Sequence, residues 1–253
     1  MIKIYNEDCI KGMVEKIEKN SVDLICCDPP FAIDFNSKMP TYNRKKEPVV
    51  DDYREIEKKD YLKFSLDWLS SAKQILKESG SIYIFSGWNN LKDILIALDD
   101  LNFELINIIS WKYSFGVNCT KKFISSHYSI IYACLNDKKR KFNTYCRFDK
   151  DEKNKYGKGS ARYEDMEDVW IINKENWAGC KKTATKLPAE VIRKILNYSS
   201  SKGDLIVDPF SGCGQTAWVS KEMGRNFIGF ELSKDAYDLS IERLEKNQYL
   251  IKF

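Results

Sequence analysis

The feature that most constrains this chain is an apolar run that stops abruptly. Ser21-Val22-Asp23-Leu24-Ile25-Cys26-Cys27 is nearly continuous in apolar side chains, and Asp28-Pro29-Pro30-Phe31 follows at once. A run of this kind suits a strand buried on both faces of a parallel sheet. Two successive prolines fix φ and remove two backbone donors, so the strand cannot continue through them. Parallel strands need crossover connections, so the rest of the chain must alternate strands with helices.

The remaining sequence has that alternation. Ile2 to Tyr5 reads as a strand ending at Asn6-Glu7-Asp8-Cys9, and an amphipathic stretch follows to Lys19. Asp60 to Glu78 has helical spacing (Leu62, Phe64, Leu66, Leu69, Ala72, Ile75, Leu76), with Gly80 as its expected C-cap. Ser81 to Phe85 reads as a strand, Leu91 to Leu101 as a helix, and Phe103 to Trp111 and Ser126 to Leu135 as two more strands. Leu187 to Ser199 reads as a helix opened near Pro188, and Asp204 to Val207 as a strand. Ala217 to Met223 is a helix stopped by Gly224, Asn226 to Phe230 a strand, and Ser233 to Asn247 a final helix. The pattern predicts an α/β fold with a doubly wound, mostly parallel sheet. Residues 1–135 and 183–253 would form its main domain. Residues 32–56, polar with Pro40 and Pro48, read as a long mobile loop, and 136–182, polar and aperiodic, as an insertion.

Composition narrows the function classes. The chain has 253 residues, 43% of them hydrophobic, enough for one large domain with a real core. No apolar run approaches the roughly 18–20 residues that span a bilayer, and the N-terminus lacks signal-peptide shape, so a soluble cytoplasmic protein with no membrane partner is expected. Eight cysteines include no C-x-x-C pair and there is one histidine, so no metal site is expected and reduced core thiols are the better reading. The net charge of +4 suits nucleic acid only if basic residues cluster. Arg44-Lys45-Lys46, Lys121-Lys122, Lys138-Lys139-Arg140-Lys141 and Lys181-Lys182 are the candidate clusters, and each also suits a solvated loop.

Two segments carry chemistry. Asp208-Pro209-Phe210-Ser211-Gly212-Cys213-Gly214-Gln215-Thr216 places a glycine turn between a strand and a helix, a nucleotide-type pocket. A second strand ends at Glu231, whose carboxylate can accept both hydroxyls of a ribose. The third glycine of a pyrophosphate turn is missing, which disfavours a dinucleotide oxidoreductase. In Asp28-Pro29-Pro30-Phe31, the Asp28 carboxylate and a proline-freed carbonyl offer two acceptors side by side, and Phe31 a flat face. An exocyclic amine on a nucleobase fits all three features. The same four residues also suit a tight turn with a capping Asp and a core Phe.

Together the segments resemble the amino-methyltransferases that modify adenine N6 or cytosine N4 in DNA. The catalytic motif of that family, (Asp/Asn/Ser)-Pro-Pro-(Tyr/Phe/Trp), is matched by Asp28 to Phe31, and its Phe-x-Gly-x-Gly motif by Phe210 to Gly214. The catalytic motif precedes the cofactor motif, a permuted order similar to the family's β class. The resemblance implies a circularly permuted, Rossmann-like, seven-stranded fold. It implies S-adenosylmethionine held by Asp8, Cys9, Asp28, Thr185, Asp208, Phe210, Ser211, Gly212, Gly214, Thr216, Glu231 and Leu232. It implies catalysis by Asp28, Pro29, Pro30 and Phe31. The family's His-Pro-Thr-Gln-Lys-Pro reads here Thr183-Ala184-Thr185-Lys186-Leu187-Pro188, a departure in which Lys186 stands one place early. His127, in a strand segment that often carries His-Glu in the family, reads as a structural residue rather than a base.

The expected reaction needs no covalent intermediate, and the chain has no Pro-Cys dipeptide for cytosine C5 chemistry. A target base would leave double-stranded DNA and stack on Phe31. Residues 32–56 would close over it, and 113–125 and 136–182 would recognise the sequence. Asp at the first motif position leans to adenine in this family, Ser to cytosine. The resemblance further implies a homodimer and, as a possible partner, a restriction endonuclease. The rivals are an N4-cytosine enzyme, an RNA or protein amide methylator, and a catalytically inactive DNA-binding paralogue.

Overall fold

The computed structural model describes residues 1–31, 56–113, 120–149, 163–175 and 186–246. In chain order the elements are β1 (Ile2–Tyr5), α1 (Cys9–Lys16), β2 (Val22–Cys27), α2 (Tyr61–Ile75), β3 (Leu76–Ser86), α3 (Leu91–Asp100), β4 (Glu104–Lys112), β5 (His127–Cys134), β6 (Val169–Ile171), α4 (Ala189–Ser199), β7 (Leu205–Asp208), α5 (Gln215–Glu222), β8 (Asn226–Phe230) and α6 (Lys234–Glu245). One sheet runs in the order β1-β8-β7-β2-β3-β5-β4-β6. The first five strands are mutually parallel, β5 is antiparallel to β3 and β4, and β6 is parallel to β4.

β2 lies near the centre of the sheet, and Val22, Leu24, Ile25, Cys26 and Cys27 are all inaccessible. Its alternate side chains enter two cores. Val22, Ile25 and Cys27 meet α1, α2 and α3 through Met13, Trp68, Leu69 and Ile94. Leu24 and Cys26 meet the other layer through Ile192, Ile195, Ala217 and Val219 of α4 and α5. This two-sided burial is what the unalternating apolar run required. Of the thiols in the described residues, Cys9, Cys26, Cys27, Cys134 and Cys213 are buried and free, and Cys146 is exposed and free.

All seven expected strands are present, with an eighth, β6, drawn from the stretch read as an insertion. Trp170 of β6 is buried and lies opposite Trp111 of β4. The helix expected to reach Glu78 stops at Ile75, and Gly80 is not its cap. Residues from Leu76 onward are drawn into β3 by pairing with β2, where the register shifts between Val22 and Leu24. A Cβ at Gly80 would lie 2.6 Å from Leu76 Cδ1 and 2.9 Å from the Lys77 carbonyl, so the glycine serves the irregularity within the strand.

The basic run at 138–141 is largely neutralised by acids rather than presented as a patch. Lys139 pairs with Glu78 at 2.6 Å, Arg140 with Asp137 at 2.6 Å, and Lys141 with Asp204. Arg44-Lys45-Lys46 and Lys181-Lys182 lie outside the described residues, as does nearly all of the 32–56 loop. Lys121 and Lys122 are exposed ahead of β5, and His127 opens that strand, exposed, opposite Lys112. Among the described residues, no helix is long and apolar enough to cross a membrane.

Candidate active site

Four parallel strands, β1, β8, β7 and β2, end side by side on one edge of the sheet. Their ends carry Asn6 to Cys9, Glu231 to Ser233, Asp208 to Gly214 and Asp28 to Phe31 respectively. β2 and β7 are direct neighbours, with Ile25 opposite Val207, so the proline motif and the glycine turn leave the sheet next to each other. The buried Cys26 thiol feels both carboxylates: burial pushes its pKa up first, and then Asp208 and Asp28 add to the rise. The outer edge beyond the carboxyl ends of such strands is where open α/β sheets form their ligand crevice.

The glycine turn is held from several sides. Gly212 and Gly214 have φ of +50° and +72°, a region that side-chain-bearing residues disfavour. A Cβ at Gly214 would sit 2.9 Å from Ser240 Cβ on α6, so that glycine lets the turn pack on the helix. At Gly212 the nearest atom would be the Phe210 carbonyl oxygen at 4.0 Å, so its outer side is open to a ligand. Glu231 Oε2 accepts the Gly212 N–H at 2.7 Å and Oε1 the Ser233 N–H at 2.8 Å. Burial raises the Glu231 pKa and these N–H bonds oppose the rise. Below the turn, Asp208 accepts the Phe210 N–H at 3.0 Å and the Thr216 hydroxyl, and burial lifts its pKa to about 7. Arg243, buried in α6, donates to the Cys213 carbonyl and, at 2.7 Å, to Gln215 Oε1.

The other expected cofactor residues take distinct places. Asp8 caps α1, its Oδ1 accepting from the Ile10 and Lys11 N–H groups at 2.9 and 3.3 Å. Cys9 begins that helix, and burial drives its thiol pKa far up, so it is an inert thiol. The Phe210 ring packs on Trp68 and Phe64 of α2, at centroid distances of 5.4 and 5.9 Å. Ser211 is buried, Leu232 is 67% exposed beside Glu231, and Thr185 lies outside the described residues. Asn6 joins the ends of β1 and β8, donating to the carbonyls of Glu231 and Leu232 at 2.8 and 3.1 Å.

The proline motif has its own supports, which sequence reasoning missed. The Tyr61 hydroxyl of α2 donates to the Pro30 carbonyl at 2.6 Å and accepts from Asn90 Nδ2 at 2.8 Å. Ser86 Oγ in turn lies 3.1 Å from Asn90 Oδ1 and 2.9 Å from the Gly87 carbonyl. Asn89 Nδ2 donates to the Phe31 carbonyl at 2.6 Å. The two carbonyls after Pro29 are thus pinned from the β3–α3 connection and from α2. A sequence signal existed: Ser86-Gly87-Trp88-Asn89-Asn90 is a polar and aromatic cluster at a strand's carboxyl end. Trp88 itself is 77% exposed on this connection, and a Cβ at Gly87 would lie 3.8 Å from the Phe31 ring.

Aromatic rings continue the site outward. Phe31 lies 5.5 Å from Tyr128, which lies 5.5 Å from Tyr113 and 5.9 Å from Trp111. The segment 172–175, which follows β6, runs beside them and ends near the glycine turn. Glu175 Oε1 accepts the first N–H of α4, from Ala189, at 2.7 Å. Its Oε2 meets Lys186 Nζ at 3.0 Å and Gln215 Nε2 at 3.3 Å. Lys186 is therefore a buried cation beside the turn, ion-paired with Glu175. The geometry joins an open glycine cradle, flanked by a carboxylate, to a second carboxylate with a flat aromatic wall.

A family model described as DNA methylase, of the N6/N4 methyltransferases, matches residues 22–242. The chain belongs to that family of DNA amino-methyltransferases. It is 31% identical to the Type II methyltransferase M2.DpnII of Streptococcus pneumoniae, over 96% of this chain and 89% of that protein. Two solved structures share the fold. One is PvuII DNA methyltransferase, described as cytosine-N4-specific, with a TM-score of 0.73 at 17% identity over 95% of this chain and 85% of that one. The other is TTHA0409 of Thermus thermophilus, a putative DNA modification methylase solved with S-adenosylmethionine, with a TM-score of 0.67 at 20% identity over 100% of this chain and 96% of that one.

Proposed function

We propose that this chain methylates the exocyclic N6 of an adenine extruded from a specific sequence in double-stranded DNA, as the modification enzyme of a Type II restriction system. One observation carries the reading: Asp28 to Phe31 and the Phe210 to Gly214 turn leave adjacent parallel strands on one edge of the sheet. The donor is S-adenosylmethionine, which supplies an electrophilic methyl group on a sulfonium. The open side of Gly212, with Glu231 bonded to the turn and Asp8 and Leu232 at the neighbouring strand ends, fits an adenosine with its ribose on the Glu231 carboxylate. Lys186, buried beside the turn, is the cation for the amino-acid end.

The chain's own residues act on the amine. An amino group conjugated into a purine ring is a poor nucleophile. Asp28 and the Pro29 carbonyl accept its two hydrogens, which favours a pyramidal nitrogen. They also stabilise the positive charge that develops there, a preorganised electrostatic effect. Asp28 is placed to take the proton that the methylated nitrogen must lose. Tyr61 and Asn89 occupy the Pro30 and Phe31 carbonyls, which leaves the base to the Pro29 carbonyl in this reading. Phe31 and Tyr128 give the extruded ring a stacking wall. Trp88 and the exposed Lys121 and Lys122 face the duplex, and 113–125 with 136–182 read its sequence. The chain acts as a homodimer beside a cognate endonuclease.

Asp28→Ala should lower methyl transfer at least about a hundredfold while S-adenosylmethionine still binds. Mass spectrometry of nucleosides from treated DNA, with methylation-aware sequencing, reads base and motif together. N6-methyladenine is the expected product. N4-methylcytosine would move the target to cytosine, and full activity of the Asp28→Ala enzyme would remove the catalytic assignment.

A further inference from the structure

Lys174 stands inside the site without a part in that mechanism. Its ammonium lies 3.9 Å from the centroid of the Tyr113 ring and 5.2 Å from that of Tyr128. Tyr128 in turn faces Phe31 at 5.5 Å. A cation this close to a ring covers the face on which a planar base would stack. The side chain is half-buried. Burial lowers the Lys174 pKa, and the Asp28 carboxylate nearby opposes that fall.

The residues on both sides of Lys174 are tethered. Ile172 donates to the Lys112 carbonyl at 3.2 Å and accepts from Trp111 Nε1 at 2.8 Å. Glu175 is tied to Ala189, Lys186 and Gln215. Only the flexible stem of Lys174 is then free to change place, and a lysine stem has four methylenes with which to do so.

We propose that Lys174 is a placeholder for the target base: in the DNA-free enzyme its ammonium fills the slot between Asp28 and the Tyr113 and Tyr128 rings, and the extruded base displaces it. The exchange is nearly balanced. Asp28 gives up a cation and gains amine hydrogens, and the rings trade a cation–π contact for stacking. The displaced ammonium swings out into water on its flexible stem. An enzyme built this way keeps a cation near its catalytic carboxylate, and its aromatic wall covered, until a base enters. This inference rests on the reading of Asp28 to Phe31 as the base site.

The test is Lys174→Met, which keeps the apolar stem and removes the charge. Full-length wild-type and variant enzymes are titrated onto a duplex carrying 2-aminopurine at the methylated position, whose fluorescence reports extrusion. Lys174→Met should raise the extruded fraction at subsaturating enzyme and lower KM for DNA, each by roughly two- to fivefold, the size of a half-exposed cation–π contact. Lys174→Arg, which restores a cation on the rings, should return both to wild-type values. Unchanged extrusion in Lys174→Met overturns the proposal. So does weaker extrusion together with weaker binding to a duplex lacking the site, which would make Lys174 a phosphate contact. The Asp28→Ala enzyme separates the two readings: if it retains methyl transfer, the base site itself lies elsewhere, whatever Lys174 does.

Discussion

The glycine turn and the proline motif leave neighbouring strands on one edge of the sheet, yet they are held in different ways. The turn is held by ionisable groups close by in the sequence: Asp208 within it, Glu231 at the next strand end and Arg243 on the following helix. The motif is held by neutral hydroxyl and amide groups from distant segments, Tyr61, Asn89 and Asn90. The difference has a physical rationale. Neutral supports hold the Pro30 and Phe31 carbonyls without adding charge beside Asp28. The turn sits over buried carboxylates whose protonation is open to pH.

Substitutions separate the two supports. Gly214→Ala should have the largest effect on stability. It places a side chain at φ +72° and sets a Cβ 2.9 Å from Ser240 Cβ, together costing about 2–5 kcal/mol. Thermal unfolding should show a loss of roughly 5–15 °C in a domain of this size. Tyr61→Phe comes next, at about 1–3 kcal/mol, because it strands a buried Asn90 amide and frees the Pro30 carbonyl. Its kcat should fall while the dissociation constant for S-adenosylmethionine holds, since its hydroxyl serves the Pro30 carbonyl and Asn90. A fall in kcat joined by a rise in that dissociation constant, read by calorimetry, would show one shared support instead of two. Gly212→Ala should cost only about 1–2 kcal/mol of stability, having φ of +50° but open space around the new methyl. It should weaken cofactor binding more than it weakens the fold. Equal losses on both measures would mean that the open side of Gly212 is not the cradle.

The same contrast explains what could be read from the sequence. The turn and its strand were legible because their constraints are local: apolar runs, glycines and a carboxylate at the end of the adjoining strand. All seven expected strands formed for that reason. The supports of the proline motif were not legible, because Tyr61 and Asn90 meet Pro30 only after α2 and β3 have packed. β6 was missed since three residues carry no periodicity, and its existence depends on pairing with β4. The end of α2 was misplaced because β2 captures Leu76 and the residues after it, a tertiary preference stronger than helical spacing. The basic run at 138–141 suits either nucleic acid or a solvated loop in the sequence, because its partners Glu78 and Asp204 are distant along the chain.

The last expected effect concerns how the turn responds to pH. Burial raises the Asp208 pKa from an ordinary 3.8 to about 7. The folded protein therefore holds this proton more tightly than the unfolded chain does. The resulting stability is fully present below about pH 4 and is lost as pH rises through about 7. Asp208→Asn keeps an oxygen for the Phe210 N–H and the Thr216 hydroxyl but cannot ionise. Its urea-unfolding free energy, measured at several pH values between about 4 and about 7, should fall less steeply than that of the wild type. The slope should shrink without vanishing, because Glu231 is raised by burial in the same sense and remains. No such slope is expected from the proline motif's supports, so Tyr61→Phe should shift the whole curve down in parallel. A changed slope in Tyr61→Phe, or an unchanged one in Asp208→Asn, would mean that charge is not what distinguishes the two strand ends.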